Sequence, residues 1–135
     1  MKTIIKLLCF SAVLLWGASC TPPVTDRTEF ALYYYDIGNM YPGDEVSITP
    51  SYIGETPSDF RIYSVTRDGK IFYDPKIDGE LTEEDSFYID RQTGTFMVQN
   101  TTDMDPGKYV VSLSCTSGGK AYDYPGMITV EILSL

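Results

Sequence analysis

From about residue 28 onward, apolar residues recur at every second position in short runs, and turn-forming pairs separate those runs. Side chains alternate across a strand, so each apolar set must share one face. Phe30 to Tyr35 reads as a first strand, and Glu45 to Tyr52 as a second with Val46 and Ile48 together. Asp59 to Val65 sets Phe60 beside Ile62, and Lys70 to Tyr73 reads as its hairpin partner. Phe87 to Asp90 and Thr95 to Gln99 flank Thr93-Gly94, with Phe87, Ile89, Phe96 and Val98 inward. Lys108 to Thr116 alternates most cleanly: Tyr109, Val111, Leu113 and Cys115 face in, while Ser112 and Ser114 face out. Met127 to Leu133 closes the series with Ile128, Val130 and Ile132. Pro42-Gly43, Arg67-Asp68-Gly69, Asp78-Gly79, Pro106-Gly107 and Gly118-Gly119 supply the other turns. No window sustains a helical apolar period. Seven or eight such strands predict an all-β fold, a two-sheet antiparallel sandwich.

The N-terminus has a different pattern. Lys2 and Lys6 precede an apolar run from Leu7 to Trp16, and Gly17-Ala18-Ser19 lead into Cys20. A basic start, a short apolar centre and small residues mark an export signal. A helix needs about 20 apolar residues to cross hydrocarbon, so the run is too short for a permanent span. The segment Trp16-Gly17-Ala18-Ser19-Cys20 resembles the lipobox of bacterial lipoproteins. Trp16-Gly17 departs from the Leu or Val usual upstream. The resemblance implies that residues 1–19 are removed and that the Cys20 thiol accepts a diacylglyceryl group. Several acyl chains would then hold the protein on the outer membrane, facing outward or into the periplasm. Thr21-Pro22-Pro23-Val24-Thr25-Asp26 lacks periodicity, so residues 20–27 read as an extended tether. Residues 28–135 are left as one domain, short for two.

Charge and cysteine usage narrow the partners. The leader takes two of ten basic residues and none of nineteen acidic ones, leaving a net charge of −11. Such a surface repels nucleic acid and anionic headgroups. With Cys9 removed and Cys20 acylated, Cys115 stands alone, and no intramolecular disulfide can form. As an inward strand residue it reads as a small core hydrophobe.

Two segments refine the fold. Asp105-Pro106-Gly107-Lys108-Tyr109 fits the Asp-x-Gly-x-Tyr pattern at the start of strand F in immunoglobulin-type domains. There the Tyr hydroxyl bonds back to upstream backbone and fixes a corner. Phe87-Tyr88-Ile89-Asp90-Arg91-Gln92-Thr93-Gly94-Thr95-Phe96 is similar to a segment of cadherin-like and dystroglycan-type modules. Val111 stands where antibody domains carry Cys, and the mature chain has no Trp. The domain therefore resembles the disulfide-free bacterial Ig-like and cadherin-like class. In that class it is similar to N-terminal domains of Bacteroidetes-type surface lipoproteins linked to polysaccharide capture. The resemblance implies an Ig-like/cadherin-like sandwich with a structural corner at Asp105, Gly107 and Tyr109.

Catalytic chemistry is scarce. The chain has no His, which removes Ser-His-Asp and Cys-His catalysis together with the commonest metal ligand. One free Cys cannot build a zinc site, and no phosphate-binding glycine loop is present. Glu80, Glu83, Glu84, Asp85 and Asp90 crowd one acidic loop and its edge, whereas a glycosidase needs carboxylates across a cleft. We therefore expect no enzyme and no cofactor. Calcium would draw on Asp90, Asp103 and Asp105, an incomplete set for an ion needing six to eight oxygens, so no metal site is expected. Asn100-Thr101-Thr102 is a chance sequon. The eleven tyrosines remain. Most are expected as ordinary strand residues, but Tyr34, Tyr41, Tyr122 and Tyr124 are candidates for stacking on sugar rings. The function expected is a lipid-anchored envelope binding or adhesion module contributing to polysaccharide capture, with a glycan or envelope-protein partner. The alternative is a structural spacer or subunit of an envelope complex with no ligand of its own.

Overall fold

A computed structural model describes residues 29–134. The leader, Cys20 and the tether lie outside the described residues. Ten strands and one helical turn follow in order: β1 Ala31–Tyr33, β2 Gly38–Met40, β3 Val46–Ile48, β4 Ser51–Ile53, β5 Ser58–Arg67, β6 Lys70–Tyr73, α1 Pro75–Asp78, β7 Phe87–Ile89, β8 Phe96–Val98, β9 Gly107–Ser117 and β10 Lys120–Ile132. One layer is a five-stranded sheet in the order β2-β10-β9-β5-β6. The facing layer comprises β3-β8-β7 and the ribbon β1-β4. β3 and β4 continue one another across Thr49-Pro50, where proline offers no N–H to a ladder. The expected single strand Glu45 to Tyr52 is thus split at that point.

The alternation read from the sequence is the alternation of burial. On β9, Tyr109, Val111, Leu113 and Cys115 are buried, and the residues between them are half-buried. Phe60, Ile62 and Val65 of β5 join them, with Phe87, Ile89, Phe96 and Val98 from the other layer. The layers meet where the Phe87 ring of one lies 5.5 Å from the Tyr109 ring of the other. Burying one such large apolar side chain contributes about 1.5–3 kcal/mol. Cys115 is free and buried among them, so this shared core holds the sandwich without a cross-link.

Three features depart from the expected strands. β2 is too short to alternate, and it pairs parallel with β10 while every other pair is antiparallel. β10 begins at Lys120, not near Met127, because a register shift between Tyr124 and Ile128 absorbs Pro125-Gly126. α1 is a single turn in which Asp74 caps the Lys76 N–H and Pro75 takes a first-turn position, where a missing N–H is harmless. Among the described residues no helix is long and apolar enough to cross a membrane.

Candidate functional site

The structure separates the four tyrosines nominated above. Tyr34 is a correction: its side chain is buried, and its hydroxyl donates to the Gly94 carbonyl at 2.6 Å. Burial pushes its phenol up, and the ring offers no face to a ligand. Alternation explains this, since the chain through β1 and the two residues after it turns Leu32 and Tyr34 inward and so turns Tyr33 and Tyr35 outward. Those two rings meet edge to face at 6.1 Å between centroids and are 49% and 68% exposed. Tyr41 is exposed beside the Pro42-Gly43 turn. Tyr122 and Tyr124 are half-buried on β10, Tyr122 lying 4.9 Å from the Phe30 ring. Met40 of β2 sits opposite Ile132, so Tyr41 and Tyr122 occupy opposite ends of β10. Ten residues at about 3.3 Å each put them roughly 30 Å apart. Tyr122 and Tyr124 share one face of β10, and Tyr41 lies away from both.

The acidic candidates are also apart. The Asp90 carboxylate accepts the Gln92 and Thr93 N–H groups at 2.8 and 2.9 Å, and these bonds hold it below the usual carboxylate range. It shapes the turn between β7 and β8. Asp103 and Asp105 lie beyond the other end of β8, exposed in the loop before β9. No group of three or more metal-ligating side chains occurs among the described residues. At the corner, the Tyr109 hydroxyl donates to the Asp105 carbonyl at 2.7 Å, and the Arg67 guanidinium donates to the Pro106 carbonyl at 2.8 Å. A Cβ at Gly107 would come within 2.8 Å of the Asp68 carboxylate, so the close chain approach there favours glycine.

A concave site lies elsewhere. A cleft of about 300 Å³ opens between β5, β7 and the segment 79–83. Phe60, Ile62, Leu81 and Ile89 line it apolarly, and Tyr73 and Tyr88 add aromatic wall. The Tyr73 hydroxyl is fixed by the Gly79 carbonyl. Along the rim, Asp59 Oδ1 accepts Arg91 Nη2 at 2.6 Å and Arg61 Nε at 3.3 Å. Arg61 Nη1 also reaches Glu80 Oε2 at 2.9 Å. The Arg91 bond, with lesser help from Arg61, holds the Asp59 carboxyl below its usual range and raises the Arg91 guanidinium.

Local backbone sets this arrangement. Asp59 adopts φ +54°, a left-handed conformation that Asp tolerates better than most residues. The Phe60 N–H then bonds the Arg91 carbonyl at 2.9 Å, which ties the start of β5 to the β7–β8 turn. The rim side chains are 42–65% exposed, and exposed pairs stabilise by only about 0.2–1 kcal/mol each. The network therefore orients donors and acceptors more than it stabilises the fold. In the sequence Glu80 and Glu83 belong to one acidic loop, and nothing there marks Arg61 or Arg91. Only the fold joins residues 59–61, 80 and 91.

A family model described as surface glycan-binding protein BT4661-like, N-terminal, matches residues 18–135. Among solved structures, the chain is similar to BT4661 of Bacteroides thetaiotaomicron, described as a SusE-like, surface-located polysaccharide-binding protein from the heparin utilisation locus. That match has 29% identity and a TM-score of 0.62, and covers 76% of this chain and 16% of the other. The chain thus spans about 16% of the length of that relative. A family 123 glycoside hydrolase from Clostridium perfringens is 11% identical with a TM-score of 0.47, over 80% of this chain and 28% of that one. A chimeric titin Z1Z2 is 18% identical with a TM-score of 0.41, over 80% and 93%. No curated protein matches.

Proposed function

The chain belongs to the BT4661-like surface glycan-binding protein N-terminal family, and on that footing we propose that it is a non-catalytic domain for polysaccharide capture, held on the outer face of a bacterial envelope by lipid on Cys20. The observation that carries this reading is the family match itself, which runs from just before Cys20 through the whole sandwich. The relative that binds polysaccharide at a cell surface supports it. The ten-residue apolar run before small residues and Cys20 supports the anchor.

Two measurements test the proposal. Affinity electrophoresis of residues 21–135 through gels cast with individual polysaccharides should retard the protein in at least one. Radiolabelled palmitate fed to cells should enter the full chain and fail to enter a Cys20→Ala form. Retention by no polysaccharide would refute glycan binding, and label in the alanine form would refute the anchor.

One observation favours a second reading. Tyr41 lies far from Tyr122 and Tyr124, and β6 leaves an edge of the five-stranded sheet open, which can accept a strand from another protein. On that reading the sandwich is a spacer or subunit of an envelope complex. Unretarded migration in every gel, with co-purification of an envelope protein, would select it.

A further inference from the structure

We infer that the cleft between β5, β7 and the 79–83 segment is a carbohydrate subsite that takes the end or a side branch of an uncharged polysaccharide. This rests on the capture reading above and adds to it a place and a ligand class.

A sugar presents an apolar face of C–H groups and an edge of hydroxyls, each both donor and acceptor. The cleft has the complement of both. Half-buried Leu81 and the Tyr88 ring face the ligand space, backed by the core residues Phe60, Ile62 and Ile89, while Asp59, Arg61, Glu80 and Arg91 stand at the rim. Each guanidinium carries five N–H donors. Arg61 uses Nε and one Nη1 hydrogen in the network, and Arg91 uses one Nη2 hydrogen. Among the described residues, Asp59 Oδ2 and Glu80 Oε1 accept no hydrogen bond. The rim thus offers oriented donors and acceptors side by side, as a pair of neighbouring hydroxyls requires. The Phe60–Arg91 backbone bond and the left-handed Asp59 hold this array before any ligand arrives.

Size and charge define the class. Ligand pockets run from about 300 to 1,000 Å³, and this one, at about 300 Å³, admits a chain end and not a length of polymer. Glu80 and Glu83 balance Arg61 and Arg91 in the lining, and Asp59, paired to both arginines at the rim, tips the site acidic, within a chain whose formal net charge is −9 before any processing. A sulfated or uronic-acid-rich chain would be repelled on approach, whereas an uncharged one meets no such barrier.

The experiment compares residues 21–135, which contain every residue of the core, with Arg61→Gln, Arg91→Gln and the paired Tyr33→Ala/Tyr35→Ala forms. Each is run through gels of glycogen, galactomannan, arabinogalactan and heparin, and amide NMR spectra check the fold and map contacts. The expected result is retardation by at least one of the uncharged polymers and none by heparin. Each arginine variant should weaken it about tenfold or more, as expected for loss of a charge-assisted hydrogen bond. The tyrosine variant should match the parent, and amide shifts should fall at 60–62, 80–83 and 88–91. Undiminished binding in both arginine variants, or shifts confined to Tyr33 and Tyr35, would overturn the cleft while leaving glycan capture standing. Retardation by heparin alone would overturn the ligand class. Free migration of the parent protein in every gel would overturn both the subsite and the capture reading.

Discussion

Gly94 is the position where a single methyl group should do most damage. A Cβ there would lie 2.6, 2.7 and 2.9 Å from three atoms of the Phe60 ring, and the residue sits at φ +78°. Phe60 has no exposed surface and cannot swing away. Two penalties therefore combine in Gly94→Ala. The left-handed backbone costs an alanine about 1–2 kcal/mol, and forcing a methyl into a packed core costs about 1–3 kcal/mol. The loss should reach about 2–5 kcal/mol. At about 4–8 °C per kcal/mol for a domain near 100 residues, the Tm should fall by at least about 8 °C. Urea unfolding of residues 21–135, followed by tyrosine fluorescence since the one Trp lies in the leader, measures this directly. The mechanism is separable. Phe60→Leu removes the ring atoms that clash, so the double variant should be less destabilised than the two single losses added together, by about 1–2 kcal/mol. A Gly94→Ala protein within about 0.5 kcal/mol of the parent, or strict additivity with Phe60→Leu, would refute the packing argument.

Other outcomes follow from the same geometry. Tyr109→Phe removes the bond to the Asp105 carbonyl and should lower stability by about 0.5–1.5 kcal/mol, with binding unchanged; no change in urea midpoint would mean the corner needs no hydroxyl. Burial pushes the Cys115 thiol up to about 11 from 9.0, so the folded state keeps its proton where the unfolded state loses it. That stabilisation is complete below pH 9 and fades as pH rises towards 11, so Cys115→Val should flatten the alkaline limb of a stability–pH curve. Asp59 is lowered from 3.8 mainly by Arg91, so its contribution is present above pH 3.8 and disappears as acid protonates it; Asp59→Asn should be less acid-sensitive than the parent between pH 5 and 2. Millimolar Ca²⁺ or chelator should leave the Tm unmoved, and a rise of several degrees with Ca²⁺ would reveal a site the dispersed carboxylates do not predict.

The strands and their inward faces could be read from the sequence because period-two alternation survives wherever one face meets a core. β9 is the clearest case, its four inward residues all buried. The β7–β8 hairpin and the β5–β6 hairpin were legible for the same reason, with Thr93-Gly94 and Asp68-Gly69 marking the turns. β2 escaped notice since three residues carry no period and its partner, β10, is more than 80 residues away. Tyr34 was misplaced because the expected Phe30 to Tyr35 strand fixed which residues alternate but not which set faced the core; only packing under Gly94 decides that. The cleft was illegible for a different reason. Its rim joins residues 59, 61, 80 and 91, and no local spacing reveals that a left-handed Asp59 and the Phe60–Arg91 bond bring them together.

The account rests on a lipid-held domain that collects polysaccharide outside the cell. The most direct measurement is retention of fluorescently labelled glycogen, galactomannan, arabinogalactan and heparin by intact cells producing the full chain or its Cys20→Ala form. The account predicts that cells with the native chain hold at least one of these polymers, and that cells with the alanine form release the exported protein and hold none. Equal retention by both, or retention by neither, would contradict it.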